Sequence, residues 1–237
     1  GSKRNFLKKF DAIILLGGKG TRIKKITKKI PKCLININGK PFLYYQLKYL
    51  KKNKINNVVL SVKYKSNLIK RYVEKNIDFM NVKLISDGKK PLGTGGAVIN
   101  SLKYLKNFFF IIYGDSYLRA NLNELRLYKN VSTMGIFKNV NKYDKSNVML
   151  KKKNYIQYDK INNKSKKFSY IDYGVSYVSN KLFTKYKKNK KIDLSLIYSD
   201  SSKKNLLKGY KIRKRFYEIG SYDGITQFKK FIKNEIY

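Results

Sequence analysis

Ala12-Ile13-Ile14-Leu15-Leu16 is a short, unbroken apolar run that stops at Gly17-Gly18, and it constrains the chain more than any other stretch. A strand that is apolar at every position has both faces covered, which is the habit of a central strand in a parallel sheet. Gly17-Gly18-Lys19-Gly20-Thr21-Arg22 follows directly. Glycines just past a buried strand let backbone N–H groups approach an anion closely, and Lys19 and Arg22 add positive charge. The loop is not a Walker A loop, which needs Gly-Lys-Ser/Thr after four intervening residues. It is not Gly-x-Gly-x-x-Gly either, because Ile23 occupies the third Gly position. The bland account of the same residues is a tight strand-to-helix turn with ordinary surface cations.

The pattern then alternates. After Pro41, the residues Phe42, Tyr45, Leu47, Tyr49 and Leu50 predict a helix, and Val58–Val62 predicts the next strand. Ser66 is placed to cap a helix carrying Leu68, Ile69, Tyr72 and Val73, with a third strand over Val82–Ile85. A helix is expected over Ala97–Leu105, then a buried strand at Phe108–Ile112 that ends at Gly114-Asp115. This β-α-β-α-β order predicts an α/β, Rossmann-like, doubly wound and mostly parallel sheet. Beyond about residue 138 the signal changes to short strands and polar loops, around Val148–Leu150, Tyr155–Tyr158 and Tyr173–Val178. A closing helix is expected from Tyr222 or Gly224 through Phe231.

At 237 residues, with no internal repeat or separating linker, one domain is expected over 11–237. Its parts would be about 11–137 and a substrate-facing subregion at about 138–237. Residues 1–10 form an N-terminal extension in which Gly1-Ser2 has the look of a tag remnant.

Composition narrows the chemistry. The chain has no His and one Cys, which removes His-based triads, imidazole acid–base chemistry, an internal disulfide framework and Cys-rich metal sites. A reducing cytoplasm fits that usage. No apolar run is long enough for a membrane span, and the start lacks a signal-peptide core. The net charge of +41 comes from 55 Lys+Arg against 14 Asp+Glu. Lys outnumbers Arg roughly seven to one and is spread along the chain, beside abundant Asn, Ile and Tyr, a mix that A/T-rich codons would give. A nucleic-acid surface usually concentrates charge and uses Arg forks. A general positive field that attracts anionic substrates is favoured here over a specific nucleic-acid surface.

Ten residues after Arg22 stand Pro31-Lys32-Cys33-Leu34 and then Asn38-Gly39-Lys40-Pro41-Phe42. With Gly17–Arg22, in this order and spacing, the chain resembles the sugar-1-phosphate nucleotidyltransferases, nearest to the mannose-1-phosphate and D-glycero-D-manno-heptose-1-phosphate guanylyltransferases. Pro91-Leu92-Gly93-Thr94-Gly95-Gly96-Ala97 resembles the family's second Gly-rich loop, which lies against the nucleobase. Phe110–Asp115 resembles the strand end that presents a magnesium-binding Asp. Tyr158-Asp159-Lys160, Ile171–Val175 and Phe216–Ser221 resemble the sugar-phosphate, sugar-pocket and second metal-binding segments. Two departures stand out: Asp172 where many members have Asn, and Glu218 where Asp is usual.

The resemblance implies Mg²⁺-dependent transfer of a nucleotidyl group from an NTP, GTP as the best guess, to a manno-configured sugar 1-phosphate. Leu16, Gly17, Gly18, Lys19, Gly20 and Thr21, with Pro91, Gly93, Thr94 and Gly95, would hold the nucleotide. Arg22 would meet the departing pyrophosphate, Lys32 the α-phosphate, and Lys160 the incoming sugar phosphate. Asp172 and Gly174 would line the sugar pocket, and Asp115 and Glu218 would bind Mg²⁺. The alternatives are UTP, CTP or dTTP as donor, a non-catalytic nucleotide- or sugar-phosphate-binding regulator, and a basic nucleic-acid-binding protein with Tyr and Phe for stacking. The chain ends soon after the Glu218 motif, so no second catalytic module is expected. A homo-oligomer is left open.

Overall fold

The computed structural model describes residues 8–139, 142 and 144–235; Gly1-Ser2 lies outside them. Among the described residues nine strands form one sheet. They are β1 (Phe10–Leu15), β2 (Asn57–Val62), β3 (Asn81–Ser86), β4 (Leu105–Tyr113), β5 (Ser132–Lys138), β6 (Val148–Leu150), β7 (Ile156–Tyr158), β8 (Phe168–Ser179) and β9 (Leu207–Lys211). The order is β7-β6-β8-β4-β1-β2-β3, with β5 on β8 and β9 on β5. The four strands β3, β2, β1 and β4 are parallel throughout. β8 runs antiparallel to β4 and opens the second half of the sheet.

Four helices cover the sheet, α1 (Phe42–Lys52), α2 (Ser66–Asn76), α3 (Gly93–Ser101) and α4 (Leu194–Lys203), while α5 (Tyr222–Lys233) packs beside it. The alternation of Cβ directions along a strand sends successive side chains to opposite faces, and here both faces are apolar. Ala12 and Ile14 pack with Leu43 and Leu47 of α1 and Ile69 of α2. Ile13 and Leu15 pack with Val98 of α3 and Leu194 and Ile197 of α4. β4 repeats the arrangement, with Phe110 and Ile112 on the first face and Phe109 and Ile111 on the second. The expected Rossmann-like sheet is therefore present, built on the strand that the sequence marks most clearly.

Three expectations are corrected. Ser66 is the first residue of α2 rather than its cap; Lys65 precedes it at φ 51, and no side chain caps that end. The helix expected over 97–105 begins earlier, at Gly93, and Leu105 already belongs to β4. The glycines of 93–96 are helical because they pack on neighbouring chain: the N–H groups of Gly95 and Gly96 both donate to the Ile192 carbonyl, at 2.9 and 3.1 Å. The second half also holds a helix, α4, where polar loops were expected. Asp193 caps it by accepting from the Ser195 N–H at 2.8 Å.

A third cluster ties α5 to the rest. Phe228 is fully buried among the rings of Phe42, Tyr45, Tyr117 and Tyr217, with centroids 5.3, 5.8, 5.0 and 6.0 Å away. Those rings come from α1 and from the short antiparallel ladder in which Tyr217 and Glu218 pair with Tyr117 and Ser116. Phe228→Ala removes the common member of four ring contacts and is expected to cost about 3–5 kcal/mol in urea unfolding at equilibrium. A loss below about 1 kcal/mol would mean that α5 does not hold the ladder in place.

Candidate active site

The parallel strands end together, and past their carboxyl ends lies a cleft of about 630 Å³. Clefts at that end of a doubly wound sheet are where such folds bind ligands, because loops there diverge to either side. Leu16, Gly17 and Gly18 line it after β1, and Ser61 and Lys63 at the end of β2. Tyr113, Gly114 and Asp115 line it after β4, and Lys160 reaches it from the second half of the chain.

The two sides of the cleft are joined by a backbone contact that requires glycine. The Gly114 N–H donates to the Leu15 carbonyl at 3.0 Å. A Cβ at Gly114 would stand 2.4 Å from that oxygen and 2.5 Å from Leu16 Cδ2, closer than any side chain can go. Asp115, next in the chain, is thereby set across from the loop after β1. Its Oδ2 lies 3.8 Å from Lys32 Nζ. The Lys32 side chain is only 17% exposed, so the pair is sheltered on the lysine side and open on the carboxylate side, which is 41% exposed.

Gly20 has φ +65, and a Cβ there would meet Thr27 Cγ2 at 2.5 Å and Lys32 Cε at 3.3 Å. The Gly-rich loop thus folds over the lysine stem, which runs beneath it towards Gly18. Pro31-Lys32 and Gly17–Thr21 are separate motifs in sequence and one packed unit in space. Cys33 is buried beside them, and burial pushes its thiol up to about 12, so it stays protonated.

Several expected residues stand outside the cleft lining. Lys19 sits with Lys63 over the Tyr64 ring, at 5.3 and 4.9 Å from its centroid. A hydrogen bond from Lys63, and more weakly Lys19, draws the Tyr64 phenol below its usual value. Arg22 rests against Gly220, where a Cβ would come within 2.6 Å of its Nη2. The Glu218 carboxylate is not brought to the cleft with Asp115. It accepts from the Gly220 N–H at 2.6 Å and from the Ser221 hydroxyl, over the first turn of α5. An acid there is favoured by the helix dipole. The backbone of the same segment does meet the Asp115 turn, since the Ile219 N–H donates to the Asp115 carbonyl at 3.0 Å.

In the second Gly-rich loop, Gly93 and Thr94 line the cleft, whereas Pro91 and Gly95 do not. Gly95 is bonded to Ile192, and the Thr94 hydroxyl oxygen accepts from the Leu194 N–H at 2.8 Å. The loop therefore also joins α3 to α4. Asp172 and Gly174 are not among the residues that line the cleft; Asp172 accepts from the Tyr113 hydroxyl and from the Gly174 N–H, both at 2.9 Å. Gly174 has φ +100 at an irregularity of β8, which turns its N–H back onto Asp172. Burial works against the Asp193 carboxylate, but bonds from Ser195 and the charge of Lys160 hold it below its ordinary range.

Sequence reasoning missed Lys63, Asp87, Tyr113 and Asp144, all of which line the cleft. The usable signal was positional: Lys63, Asp87 and Tyr113 stand at or just past the ends of parallel strands. Among the described residues no three or more His, Cys, Asp or Glu gather as a metal-binding group.

Burial pushes the Asp172 carboxyl up to about 6, against the lowering effect of its bonds from Gly174 and Tyr113. The folded protein then keeps a proton that the unfolded chain releases near pH 4, so this residue's contribution to stability falls as pH rises from about 4 to 6. Asp172→Asn is expected to remove that slope: relative to the variant, the native protein loses about 3 kcal/mol between pH 4 and pH 7 in urea titrations. Parallel curves for the two proteins would contradict a raised Asp172.

Residues 11–142, more than half of the chain, match the nucleotidyl transferase family. The chain is 42% identical over 135 residues to the D-glycero-alpha-D-manno-heptose 1-phosphate guanylyltransferase of Campylobacter jejuni, covering 56% of this chain and 60% of that protein. It is 35% identical over 116 residues to the protein of the same name from Aneurinibacillus thermoaerophilus, covering 48% and 50%. The match thus spans between half and two thirds of these relatives' own lengths. Among solved structures, HddC from Yersinia pseudotuberculosis complexed with GMP-PN superposes with a TM-score of 0.76 at 26% identity, over 94% of this chain and 99% of that one. With this fold, these motifs and that match, the chain belongs to the nucleotidyl transferase family.

Proposed function

We propose that this protein transfers a guanylyl group from GTP to a manno-configured hexose or heptose 1-phosphate, releasing pyrophosphate. The observation that carries the reading is the Lys32–Asp115 pair at 3.8 Å, set between the Gly17-Gly18 loop and Lys160 in one cleft. The choice of guanine and of a manno sugar is supported by the names of the two heptose-phosphate relatives and by the GMP-PN complex of the Yersinia protein.

In this reaction a phosphate oxygen of the sugar attacks the α-phosphorus of the nucleotide. A new P–O bond forms, and the bond from the α-phosphorus to the bridging oxygen of pyrophosphate breaks. The nucleophile is already anionic near neutral pH, since the second phosphate pKa is about 6. No general base is required, which agrees with a chain that has no His. What remains is to bring two anions together and to offset charge on the transferred group.

The residues divide that work. Gly17 and Gly18 line the cleft, where backbone N–H groups would serve as anion donors. Lys32, held under the loop, offsets charge on the α-phosphate, and Lys160 holds the sugar phosphate. Lys19 and Arg22 lie outside the cleft lining in this structure, and their long side chains could reach a triphosphate extending beyond it. Asp172, fixed by Tyr113 and Gly174, accepts from sugar hydroxyls.

Mg²⁺ prefers oxygen ligands and commonly uses one or two carboxylates with substrate phosphates and water. Asp115 fits that requirement, with a carboxylate open to the cleft; Glu218 stands outside the cleft lining, its oxygens accepting from Gly220 and Ser221 at the start of α5. When bound, the ion would offset charge on the phosphates.

Asp115→Asn and Lys32→Ala are each expected to lower the rate of pyrophosphate release from GTP and a manno sugar 1-phosphate by about a hundredfold or more, with the fold intact. EDTA is expected to stop turnover, and added Mg²⁺ to restore it. Undiminished turnover in either variant would remove that residue from its assigned role.

A further inference from the structure

We propose that Gln46 is the residue that positions Asp115, and that holding the turn beneath that carboxylate is what this side chain does. The proposal rests on the nucleotidyl-transfer reading above. Gln46 lies within α1 and is 3% exposed, flanked in sequence by the buried Tyr45 and Leu47. Its Nε2 donates to the Ser116 carbonyl at 2.9 Å and to the Tyr113 carbonyl at 3.3 Å. Those two carbonyls bracket Gly114-Asp115, so one amide group grips the turn from both sides of the carboxylate-bearing residue.

The same turn has two backbone anchors. Gly114 N–H holds it to Leu15 of β1, and the Ile219 N–H holds the Asp115 carbonyl. Both fix the chain from the sheet side or from the C-terminal segment. Gln46 adds the hold from the helix layer and is the side-chain member of the three. A shift of the turn by about 1 Å would change the relation of Asp115 to Lys32, and misplacements of that size can cost about a hundredfold in rate.

The other half of the amide supports this assignment. Gln46 Oε1 is buried and has no hydrogen-bond partner among the described residues. A buried carbonyl without a partner destabilises the fold, and Leu or Met would fill the same space without that cost. What an amide supplies there and an apolar side chain cannot is the pair of Nε2 bonds. The motif that starts α1 gains a mechanical meaning as well. Pro41, at φ −63 and ψ 149, fixes where the helix begins, and hence which residue of the second turn faces the Asp115 turn.

The test compares the wild type with Gln46→Leu and Gln46→Glu. Gln46→Leu removes both donors; kcat is expected to fall about tenfold to a hundredfold, with KM for the nucleotide within about twofold of wild type. Amide hydrogen exchange over residues 113–117 is expected to quicken in the same variant. Gln46→Glu cannot donate when ionised, but regains one donor when protonated. Its rate relative to wild type is therefore expected to climb as pH is lowered, which a loss of packing alone would not produce. A Gln46→Leu protein with kcat within twofold of wild type, or with unchanged exchange over 113–117, overturns the proposal. If Gln46→Leu does not fold, a pH-independent rate ratio in Gln46→Glu overturns it equally. Absence of turnover by the wild type with every substrate pair would instead defeat the nucleotidyl-transfer reading, and the exchange measurement would still report whether Gln46 holds the turn.

Discussion

The hydrogen bond from Gly114 to the Leu15 carbonyl is the contact on which the rest of the cleft depends. It joins the ends of two adjacent parallel strands just where each releases its loop, one with the glycines and one with the carboxylate. Strand pairing brings β1 and β4 side by side, but only a residue without a Cβ lets them stay bonded one step past the end of the sheet. From that point Asp115 faces Gly18 and Lys32 without further adjustment. The buried, two-faced β1 supplies the support, since helices pack on both sides of it.

Around this contact the chain uses its few acids economically. With 14 Asp+Glu against 55 Lys+Arg, acids are scarce, and two of those considered for the site are placed by backbone, hydroxyl and phenol groups. Asp172 is held by Tyr113 and Gly174, and Glu218 by Gly220 and Ser221. Asp115 alone among these three both lines the cleft and remains substantially exposed. A metal or a phosphate-bound cation would therefore meet the Asp115 carboxylate, with Asp87 and Asp144 elsewhere in the lining and substrate oxygens as further ligands.

Much of the first half was legible because its signals are local. An apolar run that ends in glycines is a buried strand meeting a turn, and the run Ala12–Leu16 needs no tertiary information to be read that way. Lys32 and Asp115 each sit in an ordered motif, and the folded chain brings the two side chains together in the cleft. The second half was less legible because its helix, α4, lacks a broad apolar stripe: Leu194, Ile197 and Tyr198 are buried, while Leu196 is half exposed. Glu218 illustrates a different limit. Its residue type is right for a metal, but its place outside the cleft lining is set by its bonds to Gly220 and Ser221, which only the folded segment brings together. Gln46 carries no motif at all, and only the turn it holds, some seventy residues away, gives it a purpose.

The measurement that bears most directly on this account is pyrophosphate release with Mg²⁺ across a matrix of GTP, UTP, CTP, ATP and dTTP against manno- and gluco-configured sugar 1-phosphates, heptose included. One dominant combination, GTP with a manno-configured sugar 1-phosphate, is the predicted result. A different dominant base or sugar would keep the reaction and correct the specificity. No release in any combination, from folded protein that still binds a nucleotide, would contradict it.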